Sequence, residues 1–206
     1  KLREYEEKKT KIKLNEKIKT ISFKDVTFSY KSSENKVLQN INFHIEVGDF
    51  LGVIGSSGSG KSTLLHLLSG LIKPKMGKIT LNSLNNEINE FDLDNKISYV
   101  PQDSFILDTT LEENIAFADH NHDIDSKKIQ ECIEFSNLSD FVKNLPKKDK
   151  TILGDGGSKI SHGQRQRIGL ARSIYNDSNV IILDESLNAL DYQNEKQILS
   201  KIMKYK

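Results

Sequence analysis

Gly55-Ser56-Ser57-Gly58-Ser59-Gly60-Lys61-Ser62 fits the pattern G-x-x-x-x-G-K-[ST]. The apolar run Phe50-Leu51-Gly52-Val53-Ile54 precedes it, and Thr63-Leu64-Leu65-His66-Leu67-Leu68 follows. The first stretch predicts a strand and the second a helix, which is the context this motif requires. Glycines let the loop turn its backbone N–H groups inward. Those groups and the positive end of the helix then form a nest for phosphates. Lys61 is placed to reach β- and γ-phosphates as a point charge, and Ser62 to offer its hydroxyl to Mg²⁺. A plain strand-to-helix turn needs neither the lysine nor the serine.

The chain has 206 residues, 36% of them hydrophobic and 29% charged, enough for one full domain with a core and a subdomain. A net charge of +1 gives no sign of a dedicated nucleic-acid surface. The single cysteine, Cys132, rules out an internal disulfide and fits a reducing compartment. Its neighbours Ile129 and Ile133 predict a buried, inert helix position. No apolar run approaches the ~20 residues of a membrane-spanning helix, and no signal peptide is recognisable. The chain opens at Lys1 rather than Met, which reads as an excised piece. Residues 1–20 are rich in Lys and Glu and read as a charged linker, either a solvated tail or a lead-in from an upstream domain.

Ile21 to Tyr30 and Val37 to Ile45 alternate apolar and polar residues, predicting an antiparallel β layer ahead of the phosphate loop. Tyr30 closes the first strand, where its ring either stacks on a base or packs in the layer. Gly70 and Pro74 end the helix after the loop. Lys78–Asn82 reads as a short strand, Asn85–Asn95 as a loop with a helical turn, and Ile97–Val100 as a buried strand. Gln102 then sits at a strand end, where open α/β sheets bind ligands. From about 104 to 176 the pattern is helical. Thr110 and Glu113 form a capping box, and Ser126–Phe135 carries Ile129, Cys132 and Ile133 at helical spacing. That spacing continues through Leu138, Phe141, Val142 and Leu145 to Pro146. Thr151–Lys159 is glycine-rich and reads as a loop, and Ser161 caps a further helix.

Val180-Ile181-Ile182-Leu183-Asp184-Glu185 is an apolar run ending in two carboxylates. Downstream of a phosphate loop this is the Walker B arrangement, with Asp184 a ligand of Mg²⁺ and Glu185 able to orient or deprotonate water. Two solvated acids at a strand end are the bland alternative. Residues 192–206 read as a helix.

The order phosphate loop, Gln102, Ile160-Ser161-His162-Gly163-Gln164, Leu183-Asp184-Glu185 and Ala189-Leu190-Asp191 resembles the nucleotide-binding domain of an ABC transporter. The likeness covers about residues 20 to 205. It implies an α/β fold: a P-loop NTPase, RecA-like core with an N-terminal antiparallel β layer and an α-helical insertion. It implies ATP and Mg²⁺ as cofactors. Tyr30, Val37, Gly55, Ser56, Ser57, Gly58, Ser59, Gly60, Lys61, Ser62 and Thr63 are the implied nucleotide-binding residues. Ser62, Gln102 and Asp184 hold the metal, and Glu185, Lys61 and Gln102 are catalytic. Ser161, Gly163 and Gln164 lie in a signature loop that meets the nucleotide of a second nucleotide-binding domain in a head-to-tail dimer. Leu107–Ile115 and Thr151–Gly157 are similar to exporter segments, with Asp155 in place of a glutamate. The implied partner is a transmembrane domain, fused upstream, at the cytoplasmic face of a membrane, and no nucleic acid.

The sequence departs from the family pattern in places. His162 replaces the first signature glycine, Ile160 a leucine and Asn188 a serine. His44, His66, His120, His122 and His162 all precede Walker B, so none matches the family's switch histidine, and a truncated chain with impaired hydrolysis is the expectation. Against a motor ATPase stand two alternatives: a nucleotide-dependent switch that does not hydrolyse, and a soluble ABC ATPase acting on DNA or ribosomes.

Overall fold

The computed structural model describes residues 18–30, 36–82, 87–88, 97–117 and 124–204. The expected linker lies almost wholly outside them, as do His120 and His122. The chain divides into two compact units, Lys1–Lys96 and Ile97–Lys206.

The first unit holds a four-stranded antiparallel sheet in the order β2-β1-β3-β4, formed by β1 (Thr20–Phe28), β2 (Leu38–Glu46), β3 (Met76–Asn82) and β4 (Glu87–Ile88). Ile21 and Phe23 are buried, and so are Val26 and Phe28. The inward positions change parity between Phe23 and Val26 because the ladder slips there, and Asp25 adopts φ 52. One extra residue in a strand turns its later side chains to the other face, so the polar pair Lys24-Asp25 marks the bulge. Asn42 fastens it: its Oδ1 accepts from the Asp25 amide at 2.8 Å and its Nδ2 donates to Asp25 Oδ1 at 3.1 Å. Gly77 lies against the same bulge at φ +81, where a Cβ would fall 2.3 Å from the Asp25 carbonyl oxygen. Phe23 and Phe43 stack at 4.4 Å across β1 and β2. Helix α1 (Lys61–Leu68) follows the phosphate loop and buries Thr63, Leu67 and Leu68.

Three expectations differ here. Phe50–Ile54 pairs with no strand among the described residues, and Phe50 (52%), Leu51 (53%) and Ile54 (95%) are exposed. A strand apolar on both faces is favoured only where both faces are covered. Strand β1 stops at Phe28, two residues short of Tyr30. Within the expected loop 85–95, Glu87 and Ile88 pair with Asn82 and Leu81 as β4; the remainder of that stretch is outside the described residues.

In the second unit, β5 (Ile97–Val100) and β6 (Val180–Leu183) pair in parallel, Ile97 facing Val180 and Val100 facing Leu183. The Asp184 amide extends the ladder by donating to the Val100 carbonyl at 3.0 Å. Five helices accompany the pair: α2 (Leu111–Ala116), α3 (Ser126–Phe135), α4 (Ser139–Lys143), α5 (His162–Tyr175) and α6 (Tyr192–Lys204). One core gathers Leu111, Ile115, Ile129, Cys132, Leu138 and Ile168, and a second joins Leu170, Leu187 and Ile198. Each fully buried Leu or Ile contributes about 1.5–3 kcal/mol relative to exposure. Helix α5 therefore carries apolar residues on two faces, one for each core.

Local chemistry sets the boundaries. The Thr110–Glu113 capping box forms: Glu113 N donates to Thr110 Oγ1 at 3.2 Å and Thr110 N to Glu113 Oε2 at 2.8 Å. Those bonds hold the Glu113 carboxyl below its ordinary range. Asp125 Oδ1 caps α3 by accepting from Lys127 N and Lys128 N. The helical spacing from 126 to 145 breaks into two helices because Asn137 takes φ 53, a left-handed conformation Asn tolerates. The carbonyl end of α3 is closed by Lys201 of α6, whose Nζ donates to Glu134 O at 2.7 Å and Asn137 Oδ1 at 2.5 Å. The expected loop 151–159 is more ordered than glycine content suggests. Ile152 bridges Thr110 antiparallel, and Asp155–Gly157 make a 3₁₀ turn. Cys132 is buried, and desolvation pushes its thiol up to about 12.

Candidate functional site

The phosphate-loop half is built in the first unit. Gly58 and Gly60 adopt φ 77 and φ 96, left-handed conformations that glycine enters without a Cβ penalty. Gly60 is the residue preceding α1, whose N-terminus has no side-chain cap and no acidic residue in its first turn. A side chain there would crowd its surroundings: a Cβ at Gly60 would lie 3.0 Å from Leu38 Cδ2 and 3.2 Å from Val37 Cγ1. A Cβ at Gly55 would meet Ser59 Oγ at 2.6 Å. Ser59 N donates to Ser56 O at 3.2 Å, closing the turn. Lys61 folds back over the loop, its Nζ donating to Gly55 O at 2.9 Å and Ser56 O at 3.0 Å. Ser57 and Ser62 are exposed.

Tyr30 joins this cluster. Its hydroxyl bonds Thr63 Oγ1 at 3.1 Å, its ring meets Phe28 edge-on at 5.0 Å, and 43% of it remains exposed. Tyr30, Val37, Gly55, Ser56, Ser59, Gly60, Lys61 and Thr63 thus lie in one neighbourhood. An uncapped helix start and a lysine on the loop suit a polyphosphate.

The second unit holds the remaining expected residues. Asp184 is half-buried just past β6, and its Oδ2 accepts from the Tyr99 hydroxyl at 2.6 Å. Burial first, and Asp184 second, push the Tyr99 phenol above its ordinary range, so it stays a donor. Glu185 is exposed at φ 50, with Asn188 Nδ2 donating to its Oε2 at 3.3 Å. A non-glycine residue held left-handed stores strain, commonly at functional positions. Gln102 is exposed beyond β5. A carboxylate and an amide oxygen are hard donors of the kind Mg²⁺ takes. Among the described residues no three His, Cys, Asp or Glu converge as a denser metal site.

The signature residues start α5. Ser161 and Gln164 form a capping box: Gln164 N donates to Ser161 Oγ at 3.3 Å, and Ser161 N to Gln164 Oε1 at 2.8 Å. His162 is the first helical residue and does not have positive φ, so this position places no glycine-only demand on the backbone. Gly163 is different: a Cβ there would sit 3.1 Å from the Ala189 carbonyl oxygen. Gly169 likewise brings α5 onto the segment after β5, with Ser104 Oγ 2.1 Å from a would-be Cβ.

One residue was not anticipated. Gln166 is 2% exposed, and its amide reaches Gln102 O, His162 Nε2 and Ala189 N, each at 3.2 Å. A signal existed, because Gln166 lies four residues before Leu170 and three before Gly169, on the buried side of α5. Arg167, beside it, donates to Asn137 O at 2.5 Å; burial lowers its pKa while Asp191 opposes the shift.

A family model described as ABC transporter matches residues 38–188. The chain is 37% identical over 180 residues to an "ATP-dependent lipid A-core flippase" of Ralstonia nicotianae, covering 86% of this chain and 30% of that protein. It is 35% identical over 185 residues to the "Leukotoxin translocation ATP-binding protein LktB" of Mannheimia haemolytica, covering 89% and 26%. The solved structure of a bacterial Atm1-family ABC exporter with ATP bound is similar over 93% of this chain and 33% of the other, with TM-score 0.80 and 28% identity. The chain thus spans about a third or less of the length of each of these proteins.

Proposed function

We propose, from the premise that the chain belongs to the ABC transporter family, that it is the ATP-binding and ATP-hydrolysing motor domain of an exporter. The carrying observation is the phosphate loop, with left-handed Gly58 and Gly60, an uncapped α1 and Lys61 Nζ drawn over the loop carbonyls. Phosphoryl transfer asks a protein mainly for positioning and charge stabilisation. The loop from Gly55 to Thr63, including Ser57 and Ser59, binds the phosphates, and Lys61 neutralises the transferring group. Tyr30 and Val37 flank the base. Ser62, Asp184 and Gln102 would hold Mg²⁺, which would supply neutralising charge to the phosphates. Tyr99 fixes the Asp184 carboxylate. Glu185 orients the attacking water and takes its proton.

Ser161, Gly163 and Gln164 start α5, so their N–H groups and the helix dipole can serve the nucleotide of a second nucleotide-binding domain in a head-to-tail dimer. The likeness to a flippase, a translocation protein and an exporter supports coupling to a transmembrane domain, and the domain works from the cytoplasmic face of a membrane. Among the described residues no helix is long and apolar enough to cross one.

The test uses the intact gene product in lipid vesicles with Mg-ATP. The wild type hydrolyses ATP. Glu185→Gln retains nucleotide binding and loses turnover by about 10²–10⁴-fold, the contribution of general-base catalysis. Lys61→Ala weakens binding as well. ATP binding without turnover in the wild type would establish the non-hydrolysing switch instead, and no ATP binding would overturn the nucleotide reading altogether.

A further inference from the structure

We infer that Gln166 is a positioning residue for the ATPase reaction, tying the Gln102 peptide to the peptide that follows Asn188; this rests on the hydrolytic reading above. Its side-chain amide is the meeting point of three chain segments far apart in sequence. Gln166 Nε2 donates to the Gln102 carbonyl at 3.2 Å, and Oε1 accepts from the Ala189 amide at 3.2 Å. The third contact is His162 Nε2, at 3.2 Å.

The donor and acceptor types admit one arrangement. A peptide carbonyl can only accept and a peptide N–H can only donate, so the Gln166 amide cannot be flipped. Its second N–H then falls to His162, whose Nε2 must accept, leaving the imidazole proton on Nδ1. The histidine standing where the family has glycine thereby gains a fixed tautomer from the residue one turn further along α5.

The consequence for chemistry lies in what those peptides carry. Ala189 follows Asn188, whose side chain reaches Glu185 Oε2. The Ala189 carbonyl is also the atom against which Gly163 packs. Gln102 itself bears the proposed metal contact. Displacing either peptide therefore pulls on the other through Gln166. A helix position 2% exposed, with Ile168 and Leu170 as buried neighbours, would be filled by an aliphatic residue if packing were its only task.

The experiment compares ATP turnover and ATP affinity of the intact gene product with Gln166→Met and Gln166→Glu. Methionine keeps length and burial but removes all three bonds. Glutamate keeps the acceptor for the Ala189 N–H and loses the donor to Gln102. Misplacing reacting groups by about an ångström costs on the order of 10²-fold, so kcat falls about 10- to 100-fold in Gln166→Met and less in Gln166→Glu. KM and the ATP dissociation constant change less than ~3-fold, because the phosphate loop is untouched. A merely structural residue would lower activity in proportion to the fraction folded, read from the unfolding midpoint. Should Gln166→Met not fold, Gln166→Glu alone must show the kcat loss at unchanged KM. Wild-type kcat in a folded variant, or kcat and KM moving together, overturns the inference. A wild type that binds ATP without turnover removes the hydrolytic reading and this inference with it, whereas turnover lost in Lys61→Ala yet intact in Gln166→Met overturns this inference alone.

Discussion

Replacing Asn114 by leucine, which shares its branched skeleton, removes hydrogen bonds while keeping the outline of the side chain. The side chain is fully buried. Its Oδ1 accepts from Leu107 N at 2.9 Å and Arg172 Nη2 at 3.0 Å, and its Nδ2 donates to Leu107 O and Thr110 O, each at 3.0 Å. Arg172 is deeply enclosed, and desolvation lowers its guanidinium to about 10. In Asn114→Leu both backbone groups of Leu107 lose a buried partner, at about 1–3 kcal/mol each, and a bond to a charged group worth about 1.5–3 kcal/mol disappears. The added apolar burial returns about 1.5–3 kcal/mol. The Arg172 Nε bond to the Asn114 carbonyl, at 2.6 Å, survives because it is backbone. The balance is a loss of about 2–6 kcal/mol. Spread over a unit of about a hundred residues, this lowers Tm by at least ~8 °C at roughly 4–8 °C per kcal/mol. Calorimetry of the purified protein with and without the substitution reads it directly. A shift under ~2 °C would refute the reasoning, because it would mean that water or a local rearrangement satisfies the freed groups.

Two further outcomes follow from single residues. Glu185→Gly abolishes hydrolysis like Glu185→Gln, yet is the more stable of the two. Relief of left-handed strain is worth about 1–2 kcal/mol and the extra glycine entropy costs about 0.5–1 kcal/mol, leaving a gain near 0.5–1 kcal/mol in urea midpoints; equal midpoints would contradict the strained geometry. Cys132, with its thiol raised to about 12 from 9.0, is inert to a thiol reagent at pH 8 in the native protein and reacts on unfolding. Because its folded pKa lies above the unfolded one, its share of stability is complete below pH 9.0 and declines as pH rises toward about 12. Wild type therefore loses stability faster than Cys132→Ala above pH 9.0; parallel alkaline limbs would contradict this.

Legibility in the sequence followed the range of the interaction. The Thr110–Glu113 capping box and the Ser161 cap form as read, because each is closed within one helical turn. The phosphate loop was legible for the same reason, its glycines and Lys61 making contacts six residues apart or fewer. Phe50–Ile54 was not, since apolar composition says that a segment wants neighbours and cannot say which neighbours pair with it. The break at Asn137 depends on a backbone conformation that hydrophobic spacing does not encode. Gln166 escaped because a glutamine in a helix beginning His-Gly-Gln-Arg reads as solvated. Its partners are main-chain atoms 64 and 23 positions away, which no side-chain pattern announces.

The backbone of Glu185 also bears on how such a site decays over generations. From either glutamate codon, single-nucleotide changes reach aspartate and glycine, and both tolerate a left-handed turn better than glutamate does. One of those steps shortens the carboxylate arm and the other deletes it, and each relaxes the chain. Selection for folding alone therefore pushes this codon away from function. On the proposed role of Glu185, a population that keeps the glutamate is under continuing purifying selection on ATP turnover, and a lineage released from that selection loses the residue by a mutation that its folding favours.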